Sequence, residues 1–278
     1  MALFHKKESD EKLQVIREKL VQDREIQKNM ERIANRLVIF SGKGGVGKST
    51  VTVNLGVGLA KRQFAVGLLD ADVTGPNIPK MLGLFEAPQG KNGKIIPLKK
   101  YDVSVISIGF LIEENTPVVW RGPLRSNLIL QFLSDVEWGD LDFLLADLPP
   151  GTGDEVLTLA EKMRPTMAVV VTTPQEVAVE DARRAIMMAR SLKIPKIAVV
   201  ENMSGFRCPE SGRMYDIFGS GGGEKLAKSL NVDFLGGLPI DPSVREMSDA
   251  GKPAVVNNGE SRQSFEELID HVLEVKDK

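Results

Sequence analysis

Along residues 8–35, Leu13, Ile16 and Leu20, then Ile26, Met30 and Ile33, recur three or four positions apart among charged neighbours. That spacing predicts a helix with one apolar face. The segment 1–35 reads as a charged helical extension, either packed on the edge of a domain or free to hold a partner or a second subunit. From Arg36 the pattern changes. Short continuous apolar runs stand at Leu37–Phe40, Ala65–Leu69, Val103–Ile108, Phe143–Ala146, Met167–Val171, Lys196–Val200 and Phe234–Leu238. Helix-length stretches separate most of them, at Thr50–Arg62, Asp154–Lys162, Val177–Leu192 and Gly223–Leu230. Strands that are apolar throughout suit a sheet covered on both faces. Their alternation with helices predicts an α/β fold with a doubly wound, mostly parallel sheet and helices on both sides. With no internal repeat and no linker, residues 36–278 read as one domain.

Composition narrows the chemistry. The 278 residues are 42% hydrophobic and 27% charged, and the net charge is −2, so no global positive field recruits nucleic acid or anionic lipid. The chain has one cysteine, Cys208, and two histidines, His5 and His271. Neither an intramolecular disulfide nor a multi-cysteine zinc site is available within one chain, and a histidine-based catalytic triad is not expected. The first 35 residues balance basic and acidic side chains and lack an apolar core of the secretory kind. No apolar run approaches the roughly 18 residues of a membrane span. The expectation is a cytoplasmic protein without membrane or nucleic-acid partners.

One run carries specific chemistry. Gly42-Lys43-Gly44-Gly45-Val46-Gly47-Lys48-Ser49 fits the G-x-x-x-x-G-K-[ST] phosphate loop and lies between an expected strand and an expected helix that opens at Thr50. Glycines let the backbone curl so that its N–H groups face phosphate oxygens, and the following helix adds its dipole. Lys48 then reaches the β- and γ-phosphates and the Ser49 hydroxyl ligates Mg²⁺. The strand Phe143–Ala146 ends in Asp147, the Walker B pattern for Mg²⁺, and Leu68-Leu69 leads into Asp70-Ala71-Asp72 at the same carboxyl edge. Each of these acids has a plainer alternative as a cap of the next element. Pro149-Pro150-Gly151-Thr152-Gly153 is a stiff turn opening a helix, suited to sensing a γ-phosphate.

The second lysine, Lys43, makes this loop resemble the deviant Walker A ATPases, the class of MinD, ParA and the nitrogenase iron protein. The resemblance implies an ATP-bound homodimer in which Lys43 crosses to the partner's nucleotide. It also implies that Asp72 orients or activates the attacking water, that Asp70 supports the Mg²⁺ shell, that Asn202 hydrogen-bonds adenine, and that Asp241 lies against the base. Longer runs narrow it further. Asp70-Ala71-Asp72-Val73-Thr74-Gly75-Pro76-Asn77-Ile78-Pro79, Trp120-Arg121-Gly122-Pro123, Asp147 to Asp154, Glu201-Asn202-Met203-Ser204-Gly205-Phe206 and Phe218 to Gly223 are similar to the Mrp/ApbC-type iron–sulfur cluster carriers. The likeness runs from about Arg36 to Val256.

One position departs from that family. Its carriers have C-P-x-C, so that two subunits pool four thiolates around a bridging cluster; here the run is Cys208-Pro209-Glu210-Ser211. A serine hydroxyl is a poor ligand for soft iron, and a dimer offers two thiolates where a cluster takes four. Three readings stay open at this point: a labile cluster on paired Cys208 with outside ligands, another metal at a mixed site with Glu210, or a switch without metal. The resemblance thus implies an ATPase that binds Mg-ATP and delivers iron–sulfur clusters to client apoproteins. The alternative is a MinD/ParA-like dimer switch, against which the C-terminal segment Phe265–Lys276 is amphipathic but acidic, the wrong sign for anionic lipid. A small-molecule kinase on the same scaffold lacks an evident acceptor site.

Overall fold

The computed structural model describes residues 2–111, 122–151, 153–208 and 210–278. Trp120, Arg121, Thr152 and Pro209 of the motifs above lie outside the described residues. In chain order the helices are α1 (Ala2–Glu31), α2 (Lys48–Lys61), α3 (Ile78–Leu82), α4 (Gly122–Asp135), α5 (Asp154–Met163), α6 (Glu176–Ser191), α7 (Gly222–Leu230), α8 (Pro242–Asp249) and α9 (Glu260–Asp277). The strands are β1 (Ile33–Phe40), β2 (Val66–Asp70), β3 (Gln89–Lys91), β4 (Lys94–Ile96), β5 (Leu98–Lys100), β6 (Val103–Ser107), β7 (Leu141–Asp147), β8 (Met167–Thr172), β9 (Lys196–Arg207), β10 (Met214–Tyr215) and β11 (Asp233–Ile240).

Seven strands, β11-β9-β8-β1-β7-β2-β6, run parallel in that order, and β5 closes one edge antiparallel to β6. β10 forms a hairpin with the far end of β9, Met214 opposite Arg207. The expected doubly wound sheet is therefore what the chain forms. β1 lies at its middle, with β2 and β7 to one side and β8 and β9 to the other. The connections reverse direction at β1, and open α/β sheets build their ligand crevice at such a point.

Two cores flank the sheet. On one face Ile26, Met30, Ile129, Phe132, Val156 and Ile186 pack between the strands and the helices α1, α4, α5 and α6. On the other, Val51, Leu55, Leu82, Phe265 and Ile269 pack between the strands and α2, α3 and α9. Each buried aliphatic or aromatic side chain of this kind contributes about 1.5–3 kcal/mol. The apolar face of α9 is consumed here, because Leu268, Ile269, Val272 and Val275 are all buried.

The boundary between extension and domain differs from expectation. Residues 33–35 are not the end of a helix: Ile33 pairs with Leu141 and Asn35 with Phe143 at the start of strand β1. Ladder hydrogen bonds and the buried Ile33 side chain win over the helical spacing. α1 is docked through its C-terminal half, where Ile26 and Met30 are buried while Ile16 and Leu20 are exposed. Asn29 Nδ2 donates to the carbonyls of Leu133 (2.8 Å) and Ser134 (3.0 Å). These belong to the last turn of α4, whose carbonyls have no partner within their own helix.

Candidate nucleotide site

β1 ends at Phe40 and α2 begins at Lys48, so residues 41–47 turn the chain at the carboxyl edge of the sheet. Two glycines show what the turn requires. Gly47 has φ +85°, and a Cβ there would stand 2.0 Å from Asn202 Nδ2; left-handed backbone and close approach both select glycine. Gly42 is needed for a different reason: a Cβ would lie 2.2 Å from the backbone carbon of Asp181, where α6 presses on the loop. The unpaired N–H groups at the start of α2 then face a cleft of about 550 Å³ lined by Gly44, Lys48, Thr50, Asp72, Asn202 and Asp241 among others.

The acids converge because their strands are neighbours. In the order β1-β7-β2, Asp147 sits opposite Ile39 on one side and Asp70 on the other. Lys48 Nζ donates to Asp147 Oδ2 at 2.8 Å and to Asp72 Oδ2 at 3.4 Å. Ser49 Oγ donates to Asp147 Oδ2 (2.6 Å) and Thr52 Oγ1 to Asp147 Oδ1 (2.7 Å). Burial works against the Lys48 charge, but Asp147, Asp72 and Asp70 outweigh it and hold the ammonium above its ordinary pKa. Asp70 is fully buried; burial first, then the nearby Asp147, pushes its carboxyl up to about 8 despite hydrogen bonds from Ser107. Even with the Asp70 carboxyl neutral, Asp72 and Asp147 face a single ammonium, which leaves the cluster short of positive charge.

That deficit and the all-oxygen donor set suit a hard divalent cation. Asp70 accepts from Ser107 Oγ (2.9 Å), Asp72 N (3.2 Å) and Ile78 N (3.3 Å), so both its oxygens are engaged by protein. Asp72 uses Oδ1 for Thr74, whose N–H and hydroxyl both donate to it, and turns Oδ2 toward Lys48. Among the described residues no three His, Cys, Asp or Glu side chains form a closed metal cage. Mg²⁺ needs none, since it is ordinarily held by one or two protein oxygens together with phosphates and water.

The remaining expected residues divide into two places. Asn202 is in the cleft, its Nδ2 donating to the Val46 carbonyl at 2.8 Å. Asp241 also lines it, with Oδ1 accepting from Ser243 N (2.8 Å) as the N-cap of α8. The turn at Pro149–Gly151 lies against the loop, Gly151 N donating to the Ser41 carbonyl at 3.0 Å. Lys43 is half-buried and has no ion-pair partner among the described residues. Cys208 is elsewhere, at the far end of β9. Its N–H donates to the Arg213 carbonyl (2.9 Å), and its carbonyl accepts from Gly212 N (2.8 Å), closing a tight hairpin. The thiol is held below its ordinary pKa by the Ser211 hydroxyl and then by the N–H groups of Ser211 and Glu210.

Two participants at the cleft carry no sequence signal of their own, and a third residue, Glu201, lies outside the cleft lining. Thr52 orients Asp147 one turn beyond the motif. Ser41 lines the cleft with a buried hydroxyl that has no partner. Glu201 is 1% exposed and accepts from backbone N–H groups twenty and twenty-two residues ahead.

A parallel sheet with a strand–phosphate loop–helix at its switch point, and a lysine, a serine and a Walker B acid on one cleft, defines a P-loop nucleoside triphosphatase. Residues 32–273 match the family model described as NUBPL iron-transfer P-loop NTPase of the ParA group. The chain belongs to that family. It is 51% identical to the iron-sulfur cluster carrier protein of Methanocaldococcus jannaschii, covering 91% of this chain and 89% of that protein. A nucleotide-binding protein from Archaeoglobus fulgidus, solved in complex with ADP, superposes with a TM-score of 0.77 at 38% identity over 87% of this chain and 96% of that one. The MinD of the Aquifex aeolicus MinC:MinD complex shares the fold, with a TM-score of 0.65 at 22% identity over 87% and 96%.

Proposed function

We propose that the chain is a Mg-ATP-driven homodimeric ATPase that carries iron–sulfur clusters and hands them to client apoproteins, the cargo resting on Cys208. The observation that carries the reading is one strand. β9 leaves the nucleotide cleft at Asn202 and ends beside Cys208, so a single strand runs from the phosphate site to the thiol. The name of the M. jannaschii relative supports the same cargo.

The residues divide the work as follows. The N–H groups of Gly44 to Thr50 cradle the phosphates, and Lys48 shifts from its carboxylates to the β- and γ-phosphate oxygens. Ser49 and Asp147 are the residues that would hold Mg²⁺, which would neutralise phosphate charge, while Asp70 keeps β2 and Asp72 in place from behind. Asp72 Oδ2 orients the attacking water and takes its proton. Asn202 and Asp241 position the base. Lys43, without an ion-pair partner among the described residues, reaches the nucleotide of the second subunit, so ATP closes the dimer around the two Cys208 hairpins. Turnover is slow because dimer opening gates product release.

Ser211 favours a second reading. Its hydroxyl occupies the place of a second thiolate, so a dimer supplies two protein thiolates rather than four; a switch that has kept the ATP cycle and given up tight cluster binding fits that change.

The experiment compares cluster transfer from anaerobically reconstituted protein to an apo acceptor with and without Mg-ATP. Lys48→Ala removes the cation facing the phosphates and is expected to abolish ATP binding together with any ATP effect on transfer. Unchanged ATP affinity in that variant contradicts the assignment.

A further inference from the structure

β9 is the longest strand of the sheet, Lys196–Arg207, and its regular pairing fails midway. Met203 and Gly205 both have left-handed backbone, φ +59° and +75°. The register against β11 slips at the same place, between the pairs Leu238–Asn202 and Ile240–Phe206. An irregular segment of this kind would let the Cys208 hairpin swing independently of the cleft. Glu201 stands directly before it and is buried. Ser204 Oγ donates to its Oε1 at 2.6 Å, from inside the irregular segment. Gly221 N donates to the same oxygen at 2.8 Å, and Gly223 N to Oε2 at 2.5 Å. These last two lie where the chain, having made the hairpin and passed Phe218 in the cleft wall, enters α7.

We propose that Glu201 is a positioning residue that couples the nucleotide cleft to the Cys208 hairpin. Its one carboxylate grips both the strand leaving the cleft and the loop returning from the hairpin, so the hairpin follows Asn202 and the phosphate loop. This deepens the reading above and rests on it. Two features separate the role from plain helix capping. Capping α7 uses only the glycine contacts, whereas the Ser204 contact reaches the other stem of the hairpin. The adjacent residue, Asn202, is the one bonded to Val46 of the phosphate loop.

Cys208 is the only cysteine in the chain, so its alkylation by N-ethylmaleimide reports on the hairpin in the full-length protein. With a non-hydrolysable ATP analogue and Mg²⁺, the wild-type rate is expected to fall by about fivefold or more, the low end of ordinary two-site coupling. Glu201→Gln replaces one acceptor oxygen with an NH2 that cannot accept, so the side chain can no longer hold Ser204, Gly221 N and Gly223 N together. It is expected to bind the analogue as the wild type does and to alkylate at the same rate with and without it. Ser204→Ala removes the hairpin-stem contact alone, keeps the α7 cap, and is expected to reduce the nucleotide effect; it decides the matter if Glu201→Gln does not fold. A wild-type nucleotide effect in both variants overturns the role of Glu201 and leaves the carrier reading intact. A wild-type protein whose alkylation ignores the analogue overturns nucleotide control of the hairpin, and the role of Glu201 with it.

Discussion

Lys48 and Asp147 form an ion pair with almost no access to water, at 6% and 0% side-chain exposure. Breaking such a pair by removing one partner costs about 3–5 kcal/mol, because the other charge is left uncompensated. The arrangement persists because the cluster serves a second set of charges, those of the phosphates. Asp72 is placed differently. It is tied by one oxygen to Thr74 and keeps the other on the cleft side, which is how a group that handles a reacting water has to stand. Asp72→Asn keeps the shape and removes the carboxylate proposed as the base. The expected outcome is ATP binding close to wild type with hydrolysis slower by roughly 10²-fold or more, measured by single-turnover assay with the bound nucleotide identified. Wild-type hydrolysis in this variant contradicts the assignment of Asp72.

The elements explain what was legible before the structure and what was not. The phosphate loop was legible because its glycines, lysine and serine are local in sequence, and the parallel strands because they are apolar without interruption. β3, β4 and β5 were not: Gln89-Gly90-Lys91, Lys94-Ile95-Ile96 and Leu98-Lys99-Lys100 are short, half-polar pieces whose pairing is set by neighbours rather than by pattern. The helix α4 escaped for a related reason, since its stop is supplied from outside by Asn29 of α1. Glu201 was noticed only as a neighbour of Asn202, because its partners lie some twenty residues away. The extension reads differently along its length, docked at Ile26 and Met30 and exposed at Ile16 and Leu20. Ile26→Ala is expected to lower the unfolding free energy by about 2–4 kcal/mol, the cost of an emptied core site. Leu20→Ala, on the exposed part, is expected to cost less than about 0.5 kcal/mol. Urea unfolding of both variants checks the pair, and equal effects contradict the docking of α1.

At the scale of the molecule, the fold joins two chemistries that the sequence holds 160 residues apart, the phosphate loop at Lys48 and the thiol at Cys208. No helix among the described residues is long and apolar enough to cross a membrane, and the apolar face of the acidic helix α9 is spent inside the core. In the phosphate loop itself, Lys43 has no ion-pair partner among the described residues. Lys43→Ala is expected to bind ATP measurably yet fail to form the ATP-dependent dimer, as followed by light scattering with and without Mg-ATP. Normal dimer closure in that variant contradicts a role across the interface.

The central claim is that cargo rests on Cys208, one thiolate from each subunit. Ser211→Cys differs from the parent by a single atom and restores four thiolates to the dimer. The direct measurement is iron and acid-labile sulfide per dimer after anaerobic reconstitution of the parent, Ser211→Cys and Cys208→Ala. The expected outcome is a weakly held centre in the parent, lost readily to chelator, a firmly held one in Ser211→Cys, and none in Cys208→Ala. A parent that binds iron and sulfide tightly and keeps them after Cys208→Ala would place the ligands elsewhere and contradict it.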